Sequence, residues 1–191
     1  MPLLRGWHDA HPDTPLRGHR RDDPEAALRR GEVDVAFLRT EPPADSGLRA
    51  LPLYRERRLA AVPDGDALTR LPALRLADLA TRSVALCGTA ATTTDGLWPR
   101  GQRPRTFEVA NVDEWLTAIA TGEAVGVTAE GTEHSHPHPG VTYLPVADAP
   151  PLTVYLVRPV VATHAAVGAL YDYVRAVCVT NADQVVGEKA S

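Results

Sequence analysis

The chain has 191 residues, 44% of them hydrophobic and 23% charged, with a formal net charge of −4. That length holds one full-sized core or two small ones, and the composition is that of a folded domain rather than a disordered one. A net-negative chain lacks the basic footprint that phosphate-backbone binding requires, and no apolar run reaches membrane-spanning length.

Pro2 to His11 predicts a helix with Leu3, Leu4, Trp7 and His11 on one face. His11-Pro12-Asp13-Thr14-Pro15 stops it, and Leu16 to Arg20 is expected as a polar edge strand. Asp22 and Asp23 before Pro24 open a second helix, Pro24 to Arg30. Gly31 ends it, because a left-handed turn costs glycine nothing. The apolar run Val33 to Leu38 is too short for a helix and reads as a buried strand, broken by Glu41-Pro42-Pro43.

Leu48 to Leu53 and Arg57 to Val62 are extended runs, halted at Pro63-Asp64-Gly65-Asp66. Leu76 to Ala80 gives one or two helical turns, and Ser83 to Cys87 a strand that ends in Gly88. A threonine-rich loop follows (Thr89, Thr92, Thr93, Thr94). Thr106 to Val109 is a strand, and Asp113 to Thr121 a helix opened by Asn111 or Val112 and closed by Gly122. Val125 to Thr128, Val141 to Val146 and Leu152 to Val157 are three more strands. The last helix, Thr163 to Val179, repeats Val167, Leu170, Tyr171, Val174 and Val177 at helical spacing, and a flexible tail, 181–191, is expected after it. Strands alternating with helices predict an α/β fold with mainly parallel sheets.

Catalytic and metal chemistry find little footing. The chain has no Gly-x-Ser-x-Gly elbow and no glycine-rich phosphate loop with its lysine. His134, His136 and His138 are interrupted by Pro137 and Pro139, so no helical i, i+4 pair forms and a solvated loop is expected rather than a metal centre. Cys87 and Cys178 have neither metal nor redox spacing, which predicts free thiols in a reducing, cytoplasmic compartment. The residues point to a protein that is not an enzyme and needs no cofactor.

Several short motifs stand in one order along the chain: Gly31-Glu32-Val33-Asp34-Val35-Ala36, then Leu51-Pro52-Leu53-Tyr54-Arg55-Glu56 running into Ala60-Ala61-Val62-Pro63, then Leu74-Arg75-Leu76-Ala77-Asp78-Leu79. Val109-Ala110-Asn111, Ala118 to Thr128 and Tyr143-Leu144-Pro145-Val146-Ala147-Asp148 follow. This series resembles the effector-binding domain of LysR-type transcriptional regulators over about residues 1–178. The resemblance implies two Rossmann-like lobes joined by two crossing strands, as in type 2 periplasmic binding proteins. Lobe I would comprise 1–56 and 157–180, and lobe II 57–156. A small effector would bind in the cleft between them.

The family also carries an N-terminal winged helix-turn-helix, a linker helix and a first core strand, none of which precedes the opening helix here. The chain is therefore expected to be a fragment or the product of a misplaced start, touching DNA only through a domain absent from it. The missing strand would leave Val33 to Leu38 short of one neighbour. A stand-alone solute-binding protein of the same fold is the alternative.

Ligands of open α/β sheets bind beyond the carboxyl ends of strands, where helix N-termini present unpaired N–H groups. That rule, with the resemblance, nominates Arg39, Thr40, Thr89, Thr92, Thr93, Asn111, Val112 and Thr128 as effector-binding. The threonines offer hydroxyls to a polar ligand, and Arg39 a fork for an anionic one. Asp34 is expected to hold backbone or neighbouring arginines. The resemblance further implies a homodimer or higher homo-oligomer, with Leu3, Trp7 and Leu16 at a dimer interface.

Overall fold

A computed structural model describes residues 2–21, 23–88 and 92–188, with side chains from Leu3 to Cys178 within those ranges. The chain forms two compact units, Met1–Tyr54 with Thr153–Ser191, and Arg55–Leu152. It passes between them twice, once in each direction.

In the first unit a three-stranded sheet has the order β1-β8-β2, from β1 (Ala36–Leu38), β2 (Leu48–Glu56) and β8 (Leu152–Pro159). Successive residues of β8 point to opposite faces, and each face has its own core. Leu156 packs with Trp7 of α1 (Pro2–Ala10) and with Leu170 and Val174 of α6 (Val167–Glu188). Val157 packs with Leu28 of α2 (Pro24–Arg29), Ala36 and Leu38. Asp23 caps α2 by accepting from Ala26 N–H at 2.9 Å. Trp7 is 1% exposed, donates its indole N–H to Thr14 O at 2.8 Å and stacks on His11.

Three expectations change here. Leu16 to Arg20 is not a strand, since no described strand lies beside it and His8 Nε2 sits against the Leu16 amide and carbonyl instead. β1 is shorter than Val33 to Leu38, because pairing with β8 begins only at Ala36↔Val157. The last helix runs on to Glu188, past the boundary expected for it; 181–186 contain neither proline nor glycine to stop it.

The second unit is organised by β3 (Arg58–Pro63), whose Leu59 to Val62 are almost fully buried. It pairs antiparallel with β6 (Gly126–Ala129) on one side and β7 (Val141–Pro145) on the other. β4 (Ser83–Cys87) and β5 (Arg105–Val109) pair in parallel. Ala85 N–H donates to Val125 O at 3.0 Å and Val125 N–H to Ser83 O at 2.9 Å, which joins that pair to the β6 side. The mainly parallel pairing expected from alternation thus holds for β4–β5 and not for β3. β6 and β7 both run against β3, as β8 runs against β1, because apolar periodicity does not set strand direction.

Side chains on β3 alternate between two cores. Ala60 and Val62 join Leu74, Leu79, Val84, Trp98 and Val127. Ala61 joins Trp115, Leu116 and Ile119 of α4 (Val112–Ala120) on the other face. Trp115 lies so close that a Cβ built on Gly126 would stand 2.1 Å from its ring, and the ring N–H donates to Ala85 O at 2.9 Å. The loop after β4 is pinned to β6 by the Thr93 hydroxyl, which donates to Val127 O at 2.8 Å.

Gly126→Ala is therefore expected to destabilise the protein by about 1–3 kcal/mol through overpacking. Gly88→Ala, with open space around it, should stay within about 0.5 kcal/mol of the parent; urea denaturation of both reads the contrast. The same assay separates two neighbouring threonines. Thr93→Val should cost about 0.5–1.5 kcal/mol for its lost hydrogen bonds, while Thr92→Val, whose role is carried by its backbone carbonyl, should cost almost nothing.

Candidate functional site

β4 and β5 run in parallel, and the Val84–Val125 bridge is parallel as well, so the carboxyl ends of β4, β5 and β6 share one rim of the second unit. β3 opposes β6 with Arg58 across from Ala129, which brings the start of β3 to that rim too. Thr92 and Thr93 follow β4, Asn111 and Val112 follow β5, and Thr128 is the next-to-last residue of β6. Five of the eight nominated residues therefore belong to one edge. Arg39, half-buried and already engaged with other groups, and Thr40, exposed, follow β1 in the first unit. Thr89 lies outside the described residues.

Arg58, which sequence reasoning missed, is the group that ties the rim together. Its Nε donates to Pro150 O at 2.9 Å, and its Nη1 to Thr92 O at 2.6 Å and Thr93 Oγ1 at 3.2 Å. Burial pushes its guanidinium pKa down. Arg55, Arg57 and Arg58 stand together in the sequence as a polar flank, and only the strand register distinguishes them. Arg57 points the other way and pairs with Glu130, whose carboxyl that contact holds below the usual range.

The remaining nominated residues are occupied locally. Asn111 Oδ1 accepts from Glu114 N–H at 2.9 Å, and Glu114 Oε2 accepts from Ala110 N–H at 3.0 Å, a reciprocal cap on α4. With Asp113 and Glu114 both in its first turn, that helix end already carries negative charge. A further anion gains little there. Thr128 Oγ1 lies 2.7 Å from Thr132 Oγ1 of α5 (Glu130–Ser135), a helix that the sequence did not announce. By register Thr128 shares its face with Leu59 and Ala61, the face opposite Arg58.

A concavity of about 410 Å³ in this unit is lined by Leu76, Trp98, Pro99, Gln102, Asp148 and Pro150, the last also an acceptor of Arg58, and by none of the nominated residues. Its one charged group, Asp148, accepts from Leu76 N–H at 2.9 Å and faces Arg75. A ligand there would meet few free polar partners. Among the described residues no three His, Cys, Asp or Glu side chains gather to hold a metal. His134 sits on α5 and His136 caps its end, where the sequence suggested a loop. Asp34 accepts from the Thr163 hydroxyl, a local structural bond to a threonine rather than to an arginine. Leu3, Trp7 and Leu16, nominated for a dimer, all pack onto one cluster inside the first unit.

The family model described as LysR substrate binding domain matches residues 1–179. Among solved structures, the BenM effector binding domain with its effector benzoate is 19% identical, with a TM-score of 0.75 over 95% of this chain and 86% of that one. The effector binding domain of QuiR in complex with shikimate is 15% identical, with a TM-score of 0.75 over 94% and 90%. Full-length CbnR complexed with its target DNA is 17% identical, with a TM-score of 0.73 over 91% of this chain and 63% of that one. Comparison with curated protein sequences gives no match. The TM-scores show that this chain has the fold of those domains. With the match running through 179 of its 191 residues, the chain belongs to the LysR substrate binding domain family.

Proposed function

We propose that this domain senses a small molecule at the rim where Arg58, Thr92 and Thr93 meet, and that it does so as part of a transcriptional regulator. The observation that carries this reading is the shared edge of β4, β5 and β6 with Arg58 held across it. Relatives of the same fold are described with benzoate and with shikimate, which supports a compact organic ligand here. Arg39 and Thr40 stay in the proposal as ligand contacts of the first unit, taken by itself.

The effector acts by favouring one arrangement of the protein over another, by no more than its differential affinity for the two. DNA is reached through a separate domain, of the kind that full-length relatives carry. The chain spans 63% of full-length CbnR. No helix among the described residues is long and apolar enough to cross a membrane; action in the cytoplasm without catalysis completes the proposal. Pairing with a second copy would use half-buried Leu3 and Leu16, because Trp7 has almost no surface to offer.

Two outcomes are expected. A screen of small metabolites by thermal unfolding should find one that stabilises the protein, by about 2.7 kcal/mol at a hundred times its Kd; a screen with no stabilising compound would contradict the sensing role. In a gel-shift titration the 191-residue protein alone should show no sequence-specific, salt-sensitive DNA binding. A specific shift would contradict the assignment of DNA contact to another domain.

A further inference from the structure

Most arginines of the second unit that bond to side chains have a carboxylate. Arg57 pairs with Glu130, Arg82 with Asp66 at 2.5 Å, and Arg103 with Asp95 at 2.7 Å. Arg58 is different. Its partners are two backbone carbonyls and one hydroxyl, all neutral, and no carboxylate pairs with it among the described residues. It is also the more deeply placed group, half-buried where Arg57 is exposed. A partly desolvated guanidinium without a counter-charge is a standing cost to the fold. Such a cost is relieved when an anion arrives.

The geometry narrows what that anion is. Nε and Nη1 are committed to Pro150, Thr92 and Thr93, which fix the plane of the guanidinium before any ligand comes. Nη2 donates to nothing among the described residues. The Thr93 hydroxyl spends its own proton on Val127 O, so it offers the ligand no donor. The α4 end of the rim is closed to anions by Glu114 and Asp113. One open edge on one fixed cation suits a single oxygen of a monoanion better than a phosphate dianion, which needs several donors at once.

We propose that Arg58 is the anion-recognition group of this domain, its Nη2 edge taking a carboxylate oxygen of the effector. The proposal rests on the sensing function above and adds the chemical class of the ligand and the residue that selects it. It also moves the anionic contact from Arg39, the arginine visible in the sequence pattern, to one that only the strand register shows.

Arginine-labelled 191-residue protein, observed by NMR in low-chloride buffer, tests this with acetate and benzoate against acetamide and benzamide. The Arg58 Nε–H signal should move saturably with the carboxylates and not with the amides. Arg58→Gln should weaken carboxylate binding by about tenfold or more, and Arg58→Lys by less. Should Arg58→Gln fail to fold, the wild-type Nε–H response decides alone. An equal response to amides, movement at other arginines but not Arg58, no saturable movement, or a stronger response to inorganic phosphate would each overturn the proposal. A neutral compound that stabilises wild type and Arg58→Gln alike would overturn it while leaving the sensing function intact. Carboxylates held at Arg58 in a protein that no metabolite stabilises would uphold it and remove the sensing function.

Discussion

β3 must be narrow at its middle and dry, and the second unit depends on that constraint. A strand paired on both sides and covered on both faces leaves no solvent for its backbone, so every N–H and C=O needs a neighbour. β6 and β7 supply them. The small side chains of Ala60 and Ala61 let two cores close on the strand from opposite sides, one around Trp98 and one around Trp115. Gly126 extends the same logic to β6, where the Trp115 ring occupies the space a Cβ would need. Because β3 is locked in register, the orientation of Arg58 at its first position is locked as well. The chemistry of the rim is thus a consequence of packing several residues away.

Much of this was legible in the sequence. The apolar runs Ser83–Cys87 and Val141–Val146 fall on β4 and, to within one residue, on β7, because their lengths and flanking glycines and prolines leave few alternatives. Asn111 is the cap of α4, as asparagine before an apolar helical pattern should be. The ordered series of weak motifs was more informative still, since together they identified the family that the matching model gives.

Other features were hidden for physical reasons. Strand direction is not written in periodicity, and antiparallel β3 was concealed for that reason. Leu16 to Arg20 has the polar composition of an edge strand but no partner among the described strands, and a strand without a partner is not a strand. Arg58 sits between an exposed arginine and a buried leucine, and composition cannot tell which side of that boundary it takes. Its neutral acceptors, the carbonyls of Pro150 and Thr92, are distant in sequence. In the other direction, Asn111 looked available to a ligand because the sequence does not show that Glu114 has already engaged it.

The central claim is that ligand meets protein at the rim built on the start of β3. Hydrogen exchange on the 191-residue protein, with and without the small-molecule fraction of its own cells, tests this most directly. New protection should concentrate in peptides holding Arg58, Thr92–Thr93 and Val127–Thr128. Protection centred instead on Leu76, Trp98 and Asp148, or none anywhere, would contradict it.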